Sequence, residues 1–288
     1  MNRKNINKIF DNIGSRVTFR NARDRSERLS TPALLINIAV DRKGEHFSIT
    51  INSDVDESNI EIQMLDCNQD LKHMLLHVRY PRLINSGAPD NRKLKLGNVF
   101  VDKLDPWVNE KLLLGHDEMH WFVAGVSSST SIKQAFDNLR PKEVTRMAMT
   151  SGVDPKKLYK RKNKGFIRQG EWFFVPVDFT PDRMTVIHKN EPINRTGGKP
   201  HYVEEVVRSG GTTVYTWGDS GRAISEAEFT KLPIADRANY KMRRQDARVL
   251  ARGKVVHPDH KTIVLGGWHQ VFLSNEVNSR GTSNAFID

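Results

Sequence analysis

From residue 33 to residue 273 the apolar residues fall in short stretches, several alternating with polar neighbours, and turn-forming residues separate them. Side chains that alternate faces at a period of two mark half-buried strands, so this pattern commits most of the chain to β structure joined by tight connections. Residues 33–40 and 45–51 read as one hairpin. Phe47, Ile49 and Ile51 alternate, and Asp41-Arg-Lys-Gly44 supplies the turn with glycine where a positive φ is needed. Residues 59–65 and 71–80 read as a second pair, and His120–Val126 is the strongest buried-strand signal of the first half. In the second half, 171–177, 184–189, 202–208, 212–217, 254–257, 262–265 and 268–273 have the same character.

Helical signals are few. Ile6, Phe10, Ile13 and Val17 recur at helical spacing. Ser131 with Gln134 predicts a capped helix over 132–139, Pro141 opens another to about Met149, and Ser225 with Glu228 opens a third over 226–232. The organisation this predicts is a basic N-terminal arm with a short helix (1–30), a strand-rich domain (31–126), a helical basic segment (127–165) and a second strand-rich domain (166–288). Strands joined by turns, rather than regularly alternating with helices, argue for an α+β class: mostly antiparallel sheets in two strand-rich parts flanking a helical basic middle segment.

Composition narrows the setting. One cysteine, Cys67, cannot make an intramolecular disulfide, so a reducing, cytoplasmic compartment is expected. The apolar run at 31–40 is half the length of about 20 residues that a bilayer span needs, and Met1 to Lys8 lacks the apolar stretch of a secretory signal. No membrane association is therefore expected.

The formal net charge is +11 with a pI near 9.7, which favours polyanionic partners. The surplus is local. Residues 1–30 carry eight Lys/Arg against three acids, and residues 154–168 carry seven against Asp154 alone. Lys156, Lys157, Lys160, Arg161, Lys162, Lys164 and Arg168 are therefore candidate phosphate contacts, since each phosphate neutralised releases counterions. Arg243, Arg244 and Arg248 form a second basic stretch, readable as helical.

Two clusters carry groups able to hold a metal or move protons. The first is Gly115-His-Asp-Glu-Met-His120, where His116 and His120 are candidate ligands for a divalent metal and Asp117 a candidate ligand or base. The second is His257-Pro-Asp-His260, followed by His269 beyond Gly266-Gly267. A hairpin turning at those two glycines would return His269 towards His257 and His260, with Asp259 and His269 available for acid–base work. Ordinary polar turns account for the same residues. The charge pattern gives the leading expectation, a protein that binds nucleic acid (DNA or RNA) through a basic surface. The clusters give a second, a metal-dependent nuclease or phosphodiesterase. A third is an assembly component that meets an acidic protein partner.

Overall fold

A computed structural model of the chain describes residues 1–22, 32–84, 88–117, 119–194, 199–217, 223–245 and 247–276. Two units divide between Arg140 and Pro141, and Asn275 and Glu276 belong with the first. Residues 23–30 of the expected N-terminal arm lie outside the described residues.

In the first unit, α1 (Arg3–Asp11) begins where the Asn2 side chain accepts hydrogen bonds from the Lys4 and Asn5 amides, two of the donors a first turn leaves open. Ile6, Phe10 and, past the helix, Ile13 face inward. Gly14, at φ 70°, ends the helical path, so Val17 opens β1 (Val17–Asn21) instead of extending the helix face. β2 (Leu34–Asp41) and β3 (Gly44–Ile51) form the expected hairpin, with Gly44 at φ 101° opposite Asp41. β1 pairs with β3 in parallel; every other pair among the named strands is antiparallel.

β4 (Glu61–Asn68), β5 (His73–Pro81), β8 (Trp107–Asp117) and β9 (His120–Val126) make a four-stranded sheet in that order, with β6 (Lys93–Leu96) and β7 (Val99–Asp102) pairing separately. The alternation of strand residues sends Phe47, Ile49, Met74, Leu76 and Leu114 into one core with Phe10. α2 (Ile132–Leu139) starts at Ser131, whose hydroxyl accepts from the Gln134 amide, and Ala135 and Leu139 pack in a second cluster with Leu75 and Leu113.

The second unit opens with α3 (Lys142–Thr150). Its principal sheet has six antiparallel strands in the order β10 (Ile167–Gln169), β11 (Trp172–Pro176), β18 (His260–Leu273), β17 (Arg248–His257), β13 (His201–Ser209), β12 (His188–Ile193). A smaller sheet holds β14 (Thr212–Trp217) between β15 (Ala223–Ser225) and β16 (Tyr240–Gln245). Next to it are two short helices, α4 (Glu226–Phe229), which has the expected Ser225–Glu228 capping box, and α5 (Ile234–Arg237).

Two expectations are corrected. The chain is mostly β, with 51% of the described residues in strands and 17% helical, and it has no helical basic middle. α2 and α3 are real, but the basic residues that follow lie on a single 3-10 turn (Pro155–Lys157), an irregular connection and β10. The segment instead turns at Asn163, whose Oδ1 accepts from the Gly165 and Phe166 amides and offers the backbone an alternative to helical bonds. Secondly, Gly266-Gly267 is not a turn. Both glycines lie inside β18, where the register steps from Gly253–Leu265 to Ala251–His269, so the pair sits in a bulge of the ladder. No helix among the described residues is long and apolar enough to cross a membrane.

Candidate functional site

The connection from α3 to β10 is held by its apolar residues. Val153, Leu158 and Phe166 join Val144 and Ala148 of α3 and Phe173 and Val175 of β11 in one buried cluster. A Cβ on Gly165 would lie 2.5 Å from the Ala148 Cα, so only glycine permits this close approach. Asp154 accepts from the Lys156 amide, and Asn163 Oδ1 accepts from the Gly165 and Phe166 amides. Between these anchors Lys156, Lys157, Lys160, Lys162 and Lys164 are exposed, and none of their ammonium groups forms an ion pair with a described acid. Arg161 and Arg168 are half-buried; burial, with Arg168 close by, pushes the Arg161 guanidinium down to about 10, so it stays charged at neutral pH.

The second basic stretch is divided differently from the expectation. Arg243 and Arg244 lie on β16 and Arg248 on β17, not on a helix. Neighbours on a strand point to opposite faces, so Arg243 and Arg244 do not share one. Arg244 is engaged by the Gly210 carbonyl at 2.8 Å and Arg248 by Gln270 Oε1 at 3.1 Å.

At one end of the principal sheet three adjacent strands each present a histidine. The β17–β18 hairpin turns at Pro258-Asp259, which pairs His257 with His260. The β13–β17 register, Tyr202 with Val256, carries His201 to the side of His257. The His201 and His257 rings stack at 4.1 Å, and His257 and His260 at 4.6 Å. One nitrogen from each of the three lies within 4.8 Å of the others. His201 is 1% exposed, and neither of its ring nitrogens has a hydrogen-bond partner. Leaving such a buried group unpaired costs about 1–3 kcal/mol. Burial, reinforced by His257 and His260, pushes His201 down to about 3, so its ring is neutral near pH 7. The Asp259 amide donates to His257 Nδ1 at 3.1 Å, while the Asp259 carboxylate pairs with Lys199 at 2.8 and 2.9 Å.

The basic segment adjoins this cluster through the β10–β11 turn. Gly170, at φ 56°, sits so that a Cβ would meet His260 Nε2 at 2.7 Å and His201 Nε2 at 3.4 Å. Gln169, buried at the end of β10, donates to the Lys261 carbonyl at 2.8 Å.

The remaining candidates lie elsewhere. His269 pairs with Ala251 and donates from Nδ1 to the Gly267 carbonyl at 2.7 Å. Nine residues of strand, about 30 Å, separate it from His260, so it does not join the cluster. In the first unit, Asp117 pairs with His120 at the β8–β9 turn, and Glu118 lies outside the described residues. His120 Nδ1 and the Trp121 amide both bond to the Glu45 carboxylate, at 2.6 and 3.0 Å. The His116 ring stacks edge-on against Trp121. His116 thus packs on Trp121 and His120 bonds to Glu45, in a unit separate from that of His257 and His260. His201 and Gly170 were not among the residues singled out from the sequence. His201 stands 56 positions before His257, and only the strand register joins them.

Compared with protein-family models, with curated proteins and with solved structures, the chain matches none.

Proposed function

We propose that the protein binds nucleic acid through the basic connection between α3 and β10. The observation that carries this reading is the row of five exposed lysines, Lys156, Lys157, Lys160, Lys162 and Lys164, on a connection anchored by Leu158 and Phe166. Anchoring matters because a pre-shaped row of cations loses less conformational freedom on meeting a phosphate backbone than a loose tail does. Phosphate contacts of this kind give affinity without sequence preference. Arg161 and Arg168 add charge behind the row. Arg243, Arg244 and Arg248, spread over two faces and partly engaged, contribute less. The single cysteine is in keeping with a cytoplasmic setting for such a partner.

The test is binding of single- and double-stranded DNA and RNA to the full chain and to a K156E/K160E/K162E variant. Micromolar binding at low salt that falls at least tenfold in the variant supports the reading. Absence of binding at low salt, or equal binding by both proteins, removes it. An acidic protein that binds the wild type where nucleic acid does not would assign the lysines to a protein partner instead.

A further inference from the structure

Three properties of the histidine cluster point beyond packing. The ligand atoms of His201, His257 and His260 converge within 4.8 Å, although the residues come from three strands. His201 is 1% exposed and both its nitrogens lack hydrogen-bond partners, which is rare for a polar ring so deeply placed. Thirdly, Gly170 borders the nitrogens, and any Cβ there would press on His260 Nε2 and touch His201 Nε2. Sheet register, an unsatisfied ring and a missing side chain meet at the same group of rings.

We propose that His201, His257 and His260 together bind one divalent ion of the zinc class. The donor set decides the metal. Three imidazoles suit zinc and its late first-row neighbours, whereas calcium and magnesium want oxygen ligands that this set lacks, the Asp259 carboxylate being held by Lys199. In a tetrahedral centre with Zn–N bonds of 2.0–2.1 Å the nitrogens stand about 3.3 Å apart, so modest ring rotations bring a set within 4.8 Å into place. Three protein ligands leave a fourth position for water or an anionic ligand. The ion would clamp β13 to the β17–β18 hairpin. Coordination also has a local signature. Whether His257 binds through Nδ1 directly, or through Nε2 with its proton moved to Nδ1, the bond from the Asp259 amide to Nδ1 must break.

The experiment uses the full chain without a histidine tag, stripped by chelator and titrated with Zn2+, with Co2+ as the coloured probe. The expected result is one ion per chain, a raised melting temperature, the visible absorption of tetrahedral Co2+, and a shifted Asp259 amide resonance. H260A, at the half-exposed hairpin tip, is expected to weaken binding at least 100-fold, more than the 10- to 100-fold typical of losing a supporting hydrogen bond. H201A is expected to do the same. If it does not fold, H260A carries the test, because its ring is the least buried of the three. H120A and H269A are expected to bind as the wild type does. No saturable binding by the wild type, wild-type affinity in H260A, or loss of binding in H120A instead would each overturn the proposal. Neither result bears on the lysine row, which is read by nucleic-acid binding alone.

Discussion

His201 and His257 stack ring on ring, centroids 4.1 Å and planes 25° apart, because the register that pairs Tyr202 with Val256 sets them side by side. The stack buries a polar ring beside the Trp172 ring and the His257 and His260 imidazoles. Metal-free, that ring is a burden: it carries a donor and an acceptor that nothing satisfies. In chelator, H201L is therefore expected to unfold at the same urea midpoint as the wild type or a higher one, with a gain of up to about 1–3 kcal/mol. Added Zn2+ should then raise the midpoint of the wild type and leave H201L unmoved. A clear loss of stability in H201L under chelator would show that the ring makes favourable contacts as it stands.

Glu45 anchors the β8–β9 turn of the first unit. Burial raises its pKa, but the hydrogen bonds from His120 and the Trp121 amide outweigh this and hold it below the ordinary glutamate value. A carboxylate whose folded pKa is depressed contributes stability that is present above its unfolded pKa, near 4.3, and lost as pH falls through the lower folded value. E45Q should thus cost about 1 kcal/mol at pH 7, and the cost should shrink below about pH 4. Urea unfolding across pH 3 to 7 checks this; a cost that stays constant through the acid range would contradict it.

Gly165 ties the lysine row to α3. G165A adds a Cβ 2.5 Å from the Ala148 Cα, which must move the helix or the connection, at a cost of about 1–3 kcal/mol. No charge changes. Weaker nucleic-acid binding by a G165A protein that is still folded is the expected outcome, because the lysines lose their shared frame. Unchanged affinity would mean that charge alone, without the anchored shape, suffices.

Gly170 offers a matching test at the histidines. G170A combines a left-handed φ of 56° with a Cβ 2.7 Å from His260 Nε2, so about 1–2 kcal/mol of backbone strain accompanies displacement of a ligand ring. Zinc affinity measured by competition with a chelator should fall in G170A while the lysine row keeps its affinity for nucleic acid. Equal zinc affinity would show that the glycine leaves no needed space.

Strands were the legible part of this sequence. Local alternation at Phe47, Ile49 and Ile51, and the turn ending in Gly44, need no distant information, and they appear as β2 and β3. The capping pair Ser225–Glu228 is legible for the same reason. What failed was everything set by register. Gly266-Gly267 has the composition of a turn, yet it occupies a bulge, because Pro258-Asp259 already closes the hairpin a few residues earlier. His257 and His260 could be picked out by their spacing, but His201 could not, since nothing short of knowing that β13 borders β17 brings it near. The basic middle misled in another way. Lysines and arginines have good helix propensity, but Leu158 and Phe166 follow the demands of the cluster around Phe173 rather than a helical repeat.

The most direct measurement of the central claim is the salt dependence of nucleic-acid binding. For a single strand contacting five lysines, log Kobs against log salt should fall with a slope of about −3 to −4, and K156E/K160E/K162E should flatten it by about 2. A slope near zero, or one that the triple variant leaves unchanged, would contradict the account that this lysine row meets phosphates.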